Sequence, residues 1–277
     1  MGQTTDYLSF FLNFPNYPPI SVLTLFFLGL MRVAPIVSIL PFLGAKLPGG
    51  VKIALALSLT AIFLPTLLMT SSKALTFNGE FLACAIKEFF VGFLLAFLAG
   101  LPFYIAQSAG IYIDFLRGSS ALQVGDPTMQ NQASPIGLLY NYVLVVLFYQ
   151  INGPFIFFDA IIQSYHIVPA DGFFNTAFFT LEKPFWQLML GLLTKFTAIS
   201  IQLAAPSIVA ILMAEMFLGI ANRLAPQVQI AFLGMSIKSL LGIALLFAGW
   251  FFILQQIAKQ TLLWLKEIDT LLQSISF

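Results

Sequence analysis

Six ionisable residues stand inside long apolar runs: Arg32, Lys87, Glu88, Lys195, Glu215 and Lys238. Two kinds of chemistry suit such groups. Carboxylates within a membrane can load and release protons or ions, as in a secondary transporter, with Glu88, Lys195 or Glu215 in the ion path. Opposite charges can also pair across contacts between subunits of an assembly. A third outcome needs no function, because long side chains can reach an interface from segments that never lie at mid-bilayer. At a lipid-facing midplane each basic group costs about 2.5–3.5 kcal/mol and the carboxylates a similar amount, so most must face protein, water or an interface. Lys87 and Glu88 are sequence neighbours. A helix points adjacent residues about 100° apart, so these two are expected to reach different neighbours rather than each other, which favours assembly. The chain has one histidine, His166, and one cysteine, Cys84. No multi-histidine metal site and no internal disulfide can be built from them. His166 is expected to be a solvated or capping residue and Cys84 a packed small hydrophobe. Nothing calls for a cofactor or a metal.

A second group of polar residues lies together in Tyr112–Pro135. It holds Asp114, Arg117 and Asp126, a turn at Gly118, Ser119 and Ser120, and amides at Gln130, Asn131 and Gln132. Glycine and proline break helices there, and the polar side chains want hydrogen bonds that lipid cannot supply. The stretch is therefore either a solvent loop or non-helical chain held in a protein-lined cavity. Its apolar residues Phe115, Leu116, Leu122, Val124 and Met129 favour a constriction or plug, since a purely solvated loop has no use for them. A third cluster, Arg223, Gln227, Gln229 and Lys238, gathers around the turn broken by Pro226.

The elements that must position these groups are those of an integral membrane protein. Of 277 residues, 60% are hydrophobic and 8% charged, with a mean hydropathy of +0.96, whereas soluble domains are about 25% charged. A net charge of +1 leaves no basic footprint for nucleic acid. Asp6 breaks the myristoylation pattern, and the start of the chain lacks the positive region of a standard signal peptide. Six hydrophobic segments are expected at about 20–43, 51–69, 81–107, 136–162, 185–218 and 229–254. The fourth is interrupted at Gly153-Pro154, and a polar connector follows it over Ser164–Pro184. The fifth is too long for a ~30 Å hydrocarbon core, so Pro206 is expected to kink it or split it into a hairpin. Residues 255–277 read as a C-terminal amphipathic helix, interfacial or docking a partner. The fold class is all-α membrane protein, about six long, kinked helical segments arranged as hairpins. Self-similarity between the halves, which a transporter often shows, is not evident.

Two stretches carry a family resemblance. APQVQIAFLGMSIKSLLG, from Ala225 through Gly242, resembles the late signature of the SctT/FliR family, the export-gate subunit of type III secretion systems. Gln229 stands where that family commonly has Asn, and Ser236 where it has Pro. The central stretch is similar to the family's pattern at Asp114, Arg117-Gly118, Asp126-Pro127 and Ser134-Pro135-Ile136-Gly137. Its Arg-Gly-Ser-Ser form looks closer to the injectisome branch than to the flagellar one. The resemblance covers residues 1–277 as one export-gate domain. It implies a subunit of a helical hetero-oligomeric export gate with SctR/FliP-type, SctS/FliQ-type and SctU/FlhB-type partners. That gate lies at the bacterial inner membrane and passes unfolded secreted proteins, without catalytic chemistry of its own. The family's plug falls on residues 108–135, placing Asp114, Phe115, Arg117, Gly118, Ser119, Ser120, Asp126, Pro127, Met129, Gln130, Asn131, Ser134 and Pro135 at the pore. Lys87, Glu88, Lys195, Glu215, Arg223 and Lys238 become subunit-contact charges, and Ala225, Pro226, Gln227 and Gly234 the signature turn.

Overall fold

A computed structural model of the protein describes residues 18–71, 73, 76–118, 134–173, 184–224, 230–259 and 263–264. Every regular element among them is helical. Helix α1 spans Pro19–Ile39 and opens on a proline, whose missing N–H is one of those a helix start leaves orphaned anyway. A tight turn follows, with Gly44 at φ 107°. Helix α2, Gly49–Thr70, returns along α1 as a hairpin, and Lys52 Nζ ties its first turn to Ala45 O at 2.6 Å. Helix α3, Gly79–Leu116, runs 38 residues, or about 57 Å at 1.5 Å per residue. Helices α4, Pro135–Gln150, and α5, Gly153–Ile167, meet at a 76° bend where Asn152 has φ 57°. Helix α6 is Pro184–Leu224. It packs against α7, Ile230–Ala248. A 64° bend leads to α8, Trp250–Lys259.

Among the described residues, four helices are long and apolar enough to cross a membrane, or up to six if each bent pair counts as one span. The protein is thus an all-α, multi-pass membrane protein, as its composition implies. Several hydroxyls within the helices are satisfied locally: Thr60, Thr194, Thr197 and Ser200 each donate to the carbonyl four residues back. Such bonds are what apolar surroundings require of a helical Ser or Thr.

Two compact units divide the chain. The first gathers α1, α2, α3 as far as Leu98, and the chain from Phe158 through the turn after α5. Its core includes Leu25, Leu28, Ile36, Leu67 and Leu95, all inaccessible or nearly so. Phe63 meets Phe158 edge-on at 6.1 Å. The second gathers α3 from Ala99, α4, the start of α5, α6, α7 and α8. There Phe103 and Phe148 pack edge-on at 5.4 Å around buried Tyr140 and Leu144.

Four boundaries differ from the sequence expectation. Helix α3 continues nine residues past Gln107, so Asp114 and Phe115 are helical and the 108–135 loop begins later than expected. The run from Phe103 to Leu116 contains no proline, and Gly110, where helix packs on helix, does not end it. Helix α5 extends through Ile167, taking Ser164 and His166 out of the connector. Helix α6 is not split at Pro206 but unbroken over 41 residues. A proline forfeits one backbone bond, whereas a break in apolar surroundings would orphan several. The sixth segment bends beyond Ala248 instead of running to Leu254. Of residues 255–277, Gln255–Lys259 are helical, as are 263–264, and the rest lie outside the described residues.

Helix α3 meets α1 closely at Gly92, where an added Cβ would overlap the backbone carbonyl of Arg32. Gly191 on α6 has nothing within 4 Å of the same position. Gly92→Ala is expected to destabilise the protein by about 1–3 kcal/mol through overpacking. Gly191→Ala is expected to be neutral or stabilising by up to about 1 kcal/mol. Thermal unfolding of the two variants in the same detergent checks this, and equal midpoints would contradict it.

Candidate functional site

Charge is concentrated at two places in the described structure. The first lies in the first unit, where α1, α3 and the end of α5 converge. Arg32, near the middle of α1, is completely buried, as is Glu88 on α3. The guanidinium grips the carboxylate with two bonds, Nε to Oε2 at 2.6 Å and Nη2 to Oε1 at 2.7 Å. This paired geometry is the strongest available to such groups. Its remaining donors reach Ser164 Oγ at 2.9 Å and Val168 O at 2.7 Å. Tyr165 lies under the guanidinium, 4.0 Å from ring centroid to Cζ. Lys87 completes the group, with Nζ 2.8 Å from Glu88 Oε1 and donating to the carbonyls of Pro169, Ala170 and Gly172. Those carbonyls belong to the turn after α5, whose C-terminal end carries partial negative charge. Asp171, in the same turn, accepts from Lys73 N at 2.8 Å.

The expectation that Lys87 and Glu88 diverge is therefore corrected. Arg32 holds the carboxylate from one side, and the flexible lysine stem bends to reach it from the other. Both groups have partners inside the chain. Lys195, Glu215 and Arg223 are exposed. Lys238 pairs with Glu215 at 2.5 Å across α6 and α7. Gly234 is buried against Leu218. Ala225, Pro226 and Gln227 lie outside the described residues. His166 is exposed in the last turn of α5, and Cys84 is fully buried.

The second cluster is the base of the central stretch, in the second unit. Gly118, with φ 84°, takes the left-handed conformation that ends helices and donates back to Phe115 O. Arg117 donates through Nη2 to Asp114 Oδ1 at 2.6 Å, its stem lying over Gly242. Across from it, Ser134 is the N-cap of α4, accepting from Gly137 N at 2.9 Å. Ser134 Oγ also donates to Asp114 Oδ2 at 2.5 Å, and the same oxygen accepts from Ile136 N at 2.9 Å. One carboxylate on α3 thus caps the start of α4, where the helix dipole favours a negative group. The two helices meet closely, since a Cβ on Gly110 would overlap the backbone of Gly137. A further polar link, Asn141 Nδ2 to Gln107 Oε1 at 2.9 Å, lies one turn away. Phe115 is two-thirds exposed beside this clamp, and Pro135 is exposed at N1 of α4. Ser119, Ser120, Asp126, Pro127, Met129, Gln130 and Asn131 fall outside the described residues.

The structure thus brings together Asp114, Arg117 and Ser134. It adds Arg32, Ser164, Tyr165, Gln107 and Asn141, which sequence reasoning did not place. Ser164 was hidden because its segment read as a connector, and backbone carbonyls leave no sequence signal at all. Among the described residues no group of His, Cys, Asp and Glu side chains has the makings of a metal site.

The model of the bacterial export proteins, family 1, matches residues 23–263. The chain belongs to this family. Yop proteins translocation protein T of Yersinia pestis is 29% identical over 238 residues, covering 84% of this chain and 88% of that protein. Surface presentation of antigens protein SpaR of Shigella flexneri is 31% identical over 220 residues, covering 78% and 81%. Flagellar biosynthetic protein FliR of Escherichia coli is 27% identical over 232 residues, covering 83% and 85%. The family is the SctT/FliR family that the motifs resembled, and these two secretion relatives are slightly more identical than the flagellar one. As an export protein of this family, the chain serves protein export from a membrane.

Two substitutions test the clusters. Glu88→Gln leaves two buried cations without their anion, an error that typically costs about 3–5 kcal/mol. Folded, detergent-extractable protein should fall sharply, and wild-type yield and stability would show the pairing to be dispensable. Asp114→Asn removes acceptor capacity from three donors, about 1–3 kcal/mol. Limited proteolysis should then cleave between Arg117 and Ser134 faster than in the parent, while cleavage elsewhere is unchanged.

Proposed function

We propose that the protein is a structural and gating subunit of the export channel of a type III secretion system, its central stretch sealing the channel until an unfolded substrate passes. Family membership and the names of the relatives support the setting. The observation that carries the gating role is the clamp at Asp114, which ties the last turn of α3 to the first turn of α4. The segment between them leaves and re-enters the helices through one carboxylate, so its ends are fixed while its middle is long. A seal needs that combination: a firm root, and enough polar and apolar chain to fill an opening.

In this scheme the chain carries out no covalent chemistry. It sits in the bacterial inner membrane beside SctR/FliP-type, SctS/FliQ-type and SctU/FlhB-type subunits. The exposed apolar side chains of α6, among them Met213, Met216 and Phe217, suit burial against such neighbours. The exposed charges Lys195, Glu215 and Arg223, with the half-buried Lys238, would lie at those contacts. The alternative of an ion-coupled transporter loses its leading carboxylate, because both oxygens of Glu88 are engaged at zero exposure.

The test is resting ion leak through membranes carrying the assembled complex, comparing the intact chain with one lacking Ser119–Gln132. Assembly is checked first on a native gel. A large rise in leak is expected. An unchanged leak with assembly intact would reduce the stretch to a connector and move the seal to a partner subunit.

A further inference from the structure

Four oxygens converge on one point beside α3. Around Lys87 Nζ lie Pro169 O at 2.6 Å, Gly172 O at 2.8 Å, Glu88 Oε1 at 2.8 Å and Ala170 O at 3.2 Å. An ammonium has three protons and cannot bond all four well. Three of the oxygens are backbone carbonyls of a single turn, which Gly172 N closes by donating to Pro169 O and whose neighbouring groups are anchored elsewhere. Val168 O just before them is bound by Arg32, and Asp171 among them is bound by Lys73 N. The fourth oxygen is fixed by the two-bond grip of Arg32 on Glu88. The oxygens are thus a preformed shell, and the lysine is a cation threaded into it.

We propose that this shell is a monovalent-cation site for which Lys87 is the built-in occupant, and that without the ammonium it takes a free potassium-class ion. The distances decide the ion. Three of the four lie beyond the 2.3–2.6 Å of calcium, Pro169 O sits at its upper edge, and all four exceed the 2.0–2.1 Å of magnesium; carbonyl rings of this kind are what replace the hydration shell of potassium in ion filters. Charge points the same way. The one carboxylate is already neutralised by Arg32, so a single positive charge restores the native balance and a divalent ion overshoots it. Lys87 is 6% exposed, so the vacated space is close enough to the surface for an ion to enter. The tether makes the fold of the turn independent of ion supply, and this holds whatever the chain exports.

The test uses the full-length chain carrying Lys87→Ala, purified in detergent, with thermal unfolding followed in potassium, ammonium, sodium and choline chlorides at equal ionic strength. An ion that binds only the folded state raises the unfolding midpoint with the logarithm of its concentration. The variant should show that saturable rise in potassium and ammonium, with less in sodium and none in choline. The parent protein should show no difference among the four. Lys87→Met, which fills the space with an apolar stem, should lose the ion response. Identical midpoints for Lys87→Ala in potassium and choline would overturn the proposal. So would a Lys87→Ala protein that cannot be recovered folded even with potassium present from membrane extraction onward, since the free ion should then replace the tether.

Discussion

A charge inside an apolar molecule must bring its complement with it. Arg32 is the clearest case, since every part of its guanidinium is committed: to Glu88, to Ser164, to Val168 O and to the face of Tyr165. That single group binds together α1, α3, the end of α5 and the turn beyond. The other features of the first unit follow from it. Gly92 must be a glycine because the backbone of Arg32 comes to rest on it, and Lys87 bends toward its sequence neighbour because the carboxylate is pinned there. Swapping such a cluster for well-packed hydrophobic residues is often neutral in stability or better. What the cluster supplies is a set of directional bonds that tie α1 to α3 and to the end of α5.

The second cluster has the opposite character. Asp114 also gathers donors from several places, yet they surround the exit and return of a long stretch rather than a closed core. One carboxylate is closed off; the other is a root from which chain departs. The first cluster thus ties helices to one another within its unit, while the second ties the end of α3 to the start of α4.

How legible was this from sequence? Membrane class, helix number and the Gly153 break were readable because hydropathy and helix-breaking residues act locally. Asp114, Arg117 and Ser134 stood out only as polar residues of one motif; that Asp114 pairs with Arg117 and that Ser134 caps α4 came from the structure. The Arg32 cluster was not readable. Its members lie up to 136 residues apart in sequence, and most of its acceptors are backbone carbonyls, which every residue possesses. The divergence expected of Lys87 and Glu88 failed for a related reason: helix geometry fixes where Cβ points, but a lysine has four more bonds with which to turn back. The unbroken α6 likewise shows tertiary and solvent demands overriding a local rule about Pro206.

The length of α6 has a consequence for how the protein can exist in a cell. Forty-one residues make a rod of about 60 Å, twice the oily thickness of a bilayer, and only 22% of its apolar window is covered by the rest of the chain. A solitary copy has nowhere to put the surplus: part of the rod must stand in water with Met and Phe side chains bare. Such a molecule is an orphan, prone to clumping and to the proteases that clear unassembled subunits. Its lifetime should therefore depend on companions made at the same time and place, and its abundance should track the scarcest of them rather than its own rate of synthesis.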